Sequence, residues 1–246
     1  MREQFSRTAL LIGDTGLACL AAARVAVFGI GGVGSYAVEA LARAGVGHLV
    51  LVDHDRVAKS NLNRQLEATW DTLGRLKVEA MAERIHRINP EADVETLPTF
   101  YNTETAEKLV RQDFDYILDA MDTLSAKVDL ICRALALGVP IISSMGAGNR
   151  LEAGGFRVAD IGETWGCPLA RAVRRALKER GITRGVKVVF SPDPPLKPLP
   201  AQEEPPPGRR SIAGSISFVP PVVGLFMAGE CVRSLLRAAT VRSDQS

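Results

Sequence analysis

The chain has 246 residues, 46% of them hydrophobic, and its formal net charge at pH 7 is +2. This composition supplies a substantial buried core and excludes a wholly disordered chain, and the length fits one large domain or one domain with a small appendage. The nearly balanced charge excludes a strong overall attraction to nucleic acid, so basic patches have to be judged locally.

The first residues lack the basic start, apolar run and cleavage site of a signal peptide. The longest apolar runs are interrupted by Gly, Arg or Glu and are too short to suggest a bilayer span. We therefore expect a cytoplasmic protein with no membrane partner. The four cysteines lack the CxxC pairing of zinc sites, and disulfides are not expected in a chain of this class.

Residues 1–23 predict a helical lead-in, with Phe5, Leu10, Leu11 and Leu17 expected to be buried. Residues 24–148 then alternate short apolar runs with helical periodicity. The predicted strands cover 25–28, 48–52, 93–97, 116–119 and 140–143, and the predicted helices cover 33–44, 78–88 and 126–137. This alternation indicates an α/β fold, a Rossmann-like and doubly wound, mostly parallel sheet with helices on both faces.

Residues 149–246 follow a different pattern, which predicts a smaller C-terminal α+β extension. Strands are expected over 156–159 and 186–190, and helices over 168–180 and 220–237, the last closing the chain. Between them, residues 191–214 are rich in proline, which cannot continue a central strand or an uninterrupted helix. We therefore predict a mobile loop over 191–214.

A glycine-rich turn follows the first predicted strand of the α/β region. Gly29, Gly31 and Gly34 match G-x-G-x-x-G, Gly32 lies inside the turn, and a helix follows. Such a turn lets phosphates approach backbone N–H groups at a helix N-terminus. Asp53 ends the next strand, where its carboxylate can bind ribose hydroxyls. This favours a nucleotide site over tight packing alone, but it does not separate ATP from a nicotinamide dinucleotide.

A second group of polar residues favours ATP. Cleavage at the α-phosphate requires cations around the departing pyrophosphate, and Arg64 and Lys77 are suited to that task. Asp122 lies just past the carboxyl end of the strand at 116–119 and is a further candidate. Strand ends converge on one crevice in an open α/β sheet. The residues predicted to line it are Asp53, Asp55, Asn61, Asn63, Arg64, Gln65, Lys77 and Asp122. Taken singly, Arg64 and Lys77 could be surface residues and Asp122 a helix cap.

Taken in order, these motifs resemble the ThiF/MoeB and ubiquitin-activating-enzyme superfamily. The matching segments are Gly29–Gly34, Leu51–Asp55, Asn61–Gln65, Gly74–Glu79, Ile88–Pro90 and Asp119–Asp122. Later segments are similar to the tRNA threonylcarbamoyladenosine dehydratase branch of that superfamily, namely Ile141–Gly148, Pro168–Arg171, Val186–Ser191 and Gly214–Pro221. The resemblance spans nearly the whole chain.

The resemblance implies an enzyme that uses ATP to adenylate the carboxylate of threonylcarbamoyladenosine in tRNA. The activated acyl group then closes into a ring with net loss of water. It also implies that Gly32 and the crevice residues contact ATP or Mg²⁺, with Asp122 orienting the metal. Relatives form homodimers in which an arginine in the place of Arg7 reaches the partner's ATP, and some work with a SufE-like sulfur-transfer protein. The alternative for Arg7 is an ordinary surface arginine.

Two residues depart from the family pattern. Cys167 stands where relatives usually carry Asp, and His54 replaces the more common aromatic residue between Asp53 and Asp55. Neither changes the expected ATP residues, but both weaken the assignment of substrate contacts. Cys167 also has the best setting for a reactive thiol, at a predicted helix N-terminus, although a structural role is favoured, as it is for Cys231.

Basic residues in the predicted helix 168–180 form a possible track for RNA phosphates, without an aromatic-rich stacking surface beside it. They are Arg171, Arg174, Arg175 and Lys178. The alternative is a solvated basic helix face.

Two other functions remain open. The first is an adenylyltransferase for the C-terminal glycine of a ubiquitin-like sulfur carrier, which the missing CxxC motifs disfavour. The second is a non-catalytic dinucleotide-binding or redox-sensing module, which gives Arg64 and Lys77 no task.

Overall fold

A seven-stranded sheet forms the centre of the computed structural model, which describes residues 3–200 and 213–243. The strands lie in the order β3-β2-β1-β4-β5-β7-β6, and all neighbours are parallel except β6 and β7. Their bounds are β1 Arg24–Phe28, β2 His48–Val52, β3 Asp93–Leu97, β4 Tyr116–Asp119, β5 Ile141–Ser144, β6 Arg157–Asp160 and β7 Lys187–Phe190. The strand order reverses between β1 and β4, so a ligand crevice is expected at their carboxyl ends.

Helices cover both faces of the sheet, which explains why the central strands are apolar throughout. The helices are α1 Ser6–Ala22, α2 Gly34–Ala44, α3 Lys77–Ile88, α4 Ala106–Leu109, α5 Leu124–Leu137, α6 Pro168–Lys178 and α7 Val219–Ser243. One hydrophobic cluster joins α1, α2, α3 and α7 to the sheet, and a second joins α4, α5 and α6 to it. Every residue of β4 and β5 is buried between these layers.

This architecture confirms the predicted Rossmann-like α/β fold with its smaller C-terminal extension. Each helix and strand that the sequence predicts is present, while the single turn of α4 is too short to produce a periodic pattern. The boundary at residue 148 stays a prediction. Of the predicted loop 191–214, residues 191–200 contain no helix or strand, and residues 201–212 lie outside the described residues.

The burial expected for α1 is wrong at two positions. Leu10 and Leu11 are 77% and 86% exposed, whereas Phe5 is buried as expected and Leu17 is half-buried. The helix is interrupted at Gly13, where φ is 68°. The second half of α1 carries the fully buried Leu20, while the two leucines before the interruption form an apolar pair on the surface.

The closing helix contradicts the expectation that no apolar run is long enough for a bilayer. Residues Val219–Thr240 match a membrane span in length and composition. The physical reason is that Gly224 and Glu230, which interrupt the apolar run, do not interrupt the helix, since α7 continues through both. Of the most apolar part of this stretch, 56% is buried, and Met227 belongs to the core. Buried core helices meet the same criteria, so this is weak evidence for a membrane.

Glu230 fastens α7 to the sheet. Its carboxylate accepts hydrogen bonds from Lys187 on β7 and from Arg233 and Arg237 on its own helix, the last two at 2.9 Å. Burial alone would raise the pKa of Glu230, but these three cations outweigh that effect and lower the pKa to about 2. The carboxylate therefore stays ionised at neutral pH and holds α7 over β7.

Candidate nucleotide-binding site

The glycine turn between β1 and α2 is built from close backbone contacts. A Cβ atom on Gly34 would lie 1.8 Å from the carbonyl oxygen of Gly29, and one on Gly29 would lie 2.9 Å from the backbone of Ala120. Gly29 also has a φ of +90°, which L side chains rarely adopt. By contrast, a Cβ on Gly31 meets nothing closer than 3.6 Å. Gly29 and Gly34 therefore shape the turn, and Gly31 leaves room beside it.

Asp53 holds this turn in place from the end of β2. Its Oδ2 accepts a hydrogen bond from the backbone N–H of Ile30 (2.7 Å), and its Oδ1 accepts one from the N–H of Asp55 (2.8 Å). A carboxylate has further lone pairs beyond these two bonds. Asp53 can thus order the glycine turn and still accept hydrogen bonds from a ribose, as the sequence predicts.

Lys77 contributes a positive charge at the N-terminus of α3. Its side chain is buried, and its Nζ donates to Oδ2 of the half-exposed Asp55 at 2.8 Å. A backbone hydrogen bond from Lys77 N–H to the carbonyl of Asp55 (3.0 Å) fixes the two segments together. A phosphate entering the crevice would compete with Asp55 for this ammonium group.

The segment from Asn61 to Gln65 forms one wall of the predicted crevice, since Cβ atoms on Gly31 and Gly32 would lie 3.6 Å from the Gln65 side chain and 3.4 Å from the Arg64 side chain. Nη1 of Arg64 donates to the carbonyl of Ser60 and to Oδ1 of Asn63, both at 2.8 Å. Burial lowers the pKa of Arg64, but a guanidinium remains cationic at neutral pH. Oδ1 of Asn61 accepts the N–H of Ala58 (3.0 Å), which shapes the segment from within. Arg64 is therefore held by its own segment as a partly buried cation.

Residues near the start of α7 complete this wall, although no motif in the sequence places them at the crevice. The Asn63 side chain donates to the carbonyl of Ser215 at 3.0 Å. A Cβ on Gly32 would lie 3.1 Å from the Pro220 side chain. Because these contacts join positions about 150 or more residues apart, no local pattern could have revealed them.

A buried ion pair supports the loop that carries Asp122. At the end of β4, the Asp119 carboxylate lies 2.9 Å from Nζ of Lys127, and both side chains are fully buried. Ser143 Oγ donates to the same carboxylate (2.6 Å), and Lys127 Nζ donates to the carbonyl of Met121 (2.8 Å). These bonds fix the loop and leave Asp122 exposed at the carboxyl end of the sheet.

Glu67 is a buried acid next to these residues that the sequence analysis missed. Glu67 is only 3% exposed, and neither of its carboxylate oxygens accepts a hydrogen bond from any of the described residues. Burial is the main cause that raises the pKa of Glu67, and the nearby Asp53 adds to the rise, whereas the backbone of Glu67 and Lys77 lower it; together they bring the pKa to about 8. Glu67 is therefore largely protonated at neutral pH. A lone acid between Leu66 and Ala68 gives only a weak sequence signal.

The four basic residues predicted to bind RNA converge on one cavity of about 440 Å³. Its lining consists of Gly162, Arg171, Arg174, Arg175, Lys178, Thr183 and Arg184. Arg174 is anchored by hydrogen bonds to the backbone and hydroxyl oxygens of Thr164. The cavity therefore presents several cations from α6 and one from the loop before β7.

The remaining candidates are Arg7, Cys167 and Cys231. Arg7 is exposed on the first turn of α1. Cys167 is buried at the start of α6, and Cys231 is fully buried in the core, where burial raises the pKa of its thiol. Burial of both thiols supports the structural roles favoured for them. None of the four cysteines, all of which lie within the described residues, forms a disulfide.

Comparison with known proteins agrees with this geometry. The model of the ThiF family matches residues 5–245. The chain is 43% identical to the tRNA threonylcarbamoyladenosine dehydratase of Bacillus subtilis over 98% of both chains.

Solved structures give the same result. The Escherichia coli tRNA N6-threonylcarbamoyladenosine dehydratase in complex with AMP matches with a TM-score of 0.88 and 33% identity, covering 97% of this chain and 96% of that one. The structure of the same protein in complex with ATP matches with a TM-score of 0.86 at the same identity and coverage.

The first prediction concerns the contact between Gly34 and Gly29. We expect Gly34→Ala to destabilise the fold by about 3 kcal/mol or more and to abolish nucleotide binding, because its Cβ has no space. Gly31→Ala is the matched control, and we expect it to keep wild-type stability. Urea denaturation and isothermal titration with ATP measure both effects. Equal stability of the two variants would contradict the role assigned to Gly34.

The second prediction concerns the proton on Glu67. Between its ordinary pKa of 4.5 and its pKa of about 8 in the fold, the unfolded chain loses a proton that the native chain keeps. The unfolding free energy of the wild type should therefore fall as pH rises through this window, by up to about 1.4 kcal/mol per pH unit. Glu67→Gln should lack this slope in urea denaturation, whereas the exposed Glu83→Gln should retain it. Parallel profiles for wild type and Glu67→Gln would refute the assignment.

Proposed function

The chain belongs to the ThiF family, and we propose that it is an ATP-dependent tRNA threonylcarbamoyladenosine dehydratase. The observation that carries this proposal is the match to a dehydratase over nearly the full length of both chains. The crevice adds physical support, since it combines a glycine turn with two cations, Arg64 and Lys77, that a triphosphate requires.

The reaction begins when the carboxylate of threonylcarbamoyladenosine attacks the α-phosphorus of ATP. The bond to the β-phosphate breaks, pyrophosphate leaves, and an acyl-adenylate forms. A second atom of the same side chain then attacks the acyl carbon, and AMP departs with the former carboxylate oxygen. The nucleoside becomes cyclic and has lost one water molecule in total.

The crevice residues bind and orient ATP for the first step. Backbone N–H groups of the glycine turn and of the N-terminus of α2 donate hydrogen bonds to phosphate oxygens. Asp53 accepts hydrogen bonds from the ribose hydroxyls, while Arg64 and Lys77 neutralise charge on the departing pyrophosphate. The protonated Glu67 adds no negative charge beside these phosphates. Asn61, Asn63 and Gln65 keep the wall in position.

Mg²⁺ fits this site as a cofactor bound together with ATP. The exposed carboxylate of Asp122 lies at the carboxyl end of β4, and a hard cation accepts carboxylate and phosphate oxygens as joint ligands. Bound there, Mg²⁺ would further neutralise the phosphate charge. Arg64 and Lys77 are the cations of the chain itself that neutralise this phosphate charge.

The tRNA is proposed to approach over α6. Arg171, Arg174, Arg175 and Lys178 surround a cavity of a size and charge that suit backbone phosphates. Phosphate contacts position an RNA without reading its sequence. The modified nucleoside must then be recognised at the crevice.

A homodimer is part of the proposal. Leu10 and Leu11 form an exposed apolar pair close in sequence to Arg7 on the same helix, and apolar surface of this kind suits contact with a second copy. In such a dimer Arg7 would reach the ATP of the partner. We also propose a cytoplasmic location and a sulfur-transfer protein of the SufE type as a possible partner class, both resting on the family resemblance alone.

The two alternative functions are not favoured. The relatives compared above are dehydratases, and none of the four cysteines belongs to a cluster of metal-binding side chains within the described part of the chain. A non-catalytic dinucleotide module would leave the buried Lys77 and the held Arg64 without a ligand to neutralise.

The third prediction tests adenylation at the crevice. With Mg-ATP and tRNA bearing threonylcarbamoyladenosine, the wild type should exchange labelled pyrophosphate into ATP. Lys77→Met and Arg64→Ala should each reduce this exchange by about 100-fold or more, because pyrophosphate departure loses a preorganised cation. Arg75→Ala is the control and should retain activity, because it removes a cation that is paired with Glu83 on α3. Equal losses in all three variants would argue against the assigned roles.

The fourth prediction tests the basic cavity. Arg175→Gln combined with Lys178→Gln should weaken tRNA binding and make its dependence on salt less steep, because each lost phosphate contact removes about one unit of that slope. Affinity for ATP should be unchanged. Binding titrations at several salt concentrations measure both. An unaltered salt slope would place the RNA elsewhere.

A further inference from the structure

Trp165 is an exposed aromatic residue that neither the family motifs nor the nucleotide crevice accounts for. It is 55% exposed, and two neighbouring side chains contact its ring. Its ring packs edge-on against the buried Phe190, with centroids 5.3 Å apart. The guanidinium of Arg157 lies 5.4 Å from the ring centroid. The indole is therefore fixed in place while much of its surface faces solvent.

The strand register places Trp165 at the edge of the sheet that holds the nucleotide crevice. Arg157 and Phe190 are paired between β6 and β7, and Phe190 ends β7. The glycine turn and Asp53 follow the carboxyl ends of β1 and β2 at this same edge. Because β7 lies three strands from β1 in the sheet, these two strands are roughly 14 Å apart. Trp165 is thus beside the crevice without lining it.

The basic helix leads toward this tryptophan. α6 begins three residues after Trp165, and Cys167, just before the helix, lies next to the chain that follows β5, since a Cβ on Gly146 would be 3.5 Å from the Cys167 sulfur. The basic cavity also includes Gly162 and Arg184, which flank the opposite end of β7. An RNA backbone that follows α6 from the cavity toward the crevice therefore passes Trp165.

We propose that Trp165, supported by Arg157, stacks an unpaired base of the tRNA loop that carries the modified adenosine. The inference rests on the proposed function. Unstacked bases of RNA loops are recognised mainly by aromatic rings and by arginine planes, and both are present at this position. An indole fixed by Phe190 needs little ordering when a base arrives. Trp165 would act as a single stacking residue, in keeping with the expectation that no aromatic-rich surface lies beside the basic residues of α6.

The test compares Trp165→Ala with Trp165→Phe. The alanine variant should raise the KM for tRNA by about 10-fold or more, as expected for the loss of one base–aromatic stack. Its KM for ATP and its kcat at saturating tRNA should not change. The phenylalanine variant should recover most of the affinity because it keeps an aromatic face. Trp70→Ala removes the other tryptophan of the chain, which is 71% exposed, and should behave like wild type.

A second measurement leaves Trp165 intact. In Trp70→Phe protein the fluorescence of the remaining tryptophan should be quenched by the tRNA and not by ATP. Normal turnover with no quenching and an unchanged KM for tRNA in Trp165→Ala would overturn this inference alone. Absence of turnover by the wild type would overturn both the inference and the proposed function.

Discussion

The contact between Gly34 and the carbonyl oxygen of Gly29 is the constraint on which the rest of the site depends. It lets the chain turn sharply from β1 into α2 and sets the N-terminus of that helix at the mouth of the crevice. Other elements are built against this turn. Asp53 bonds to Ile30 within it, and α7 approaches so closely that a Cβ on Gly224 would lie 2.2 Å from the carbonyl of Val33. Small residues at these points allow three segments to share one space.

The charged residues of the crevice are arranged so that a phosphate ligand would neutralise its cations. Lys77 is buried and paired with the half-exposed Asp55, while Arg64 is held by its own segment. Glu67, the nearest buried acid, keeps its proton because burial disfavours the anion. The site thus retains its cations and suppresses one negative charge. This arrangement suits a triphosphate better than a dinucleotide, whose pyrophosphate needs less cationic help.

The strands, most helix bounds and the nucleotide turn could be predicted from the sequence, because each depends on local periodicity or spacing. Parallel strands buried on both faces produce apolar runs, and the turn requires glycine at fixed positions. The features that were missed depend on distant contacts. Ser215 reaches Asn63 across the whole fold, the interruption at Gly13 exposes Leu10 and Leu11, and Glu67 owes its raised pKa to burial that no local pattern encodes.

The chain is proposed to remove water from threonylcarbamoyladenosine in tRNA at the expense of ATP. The most direct measurement is the mass of the modified nucleoside after incubating the tRNA with the protein and Mg-ATP, together with the AMP formed. We expect a nucleoside lighter by one water molecule, with one AMP released for each nucleoside converted. An unchanged nucleoside, with AMP formed only when a small glycine-tailed protein is supplied, would contradict it.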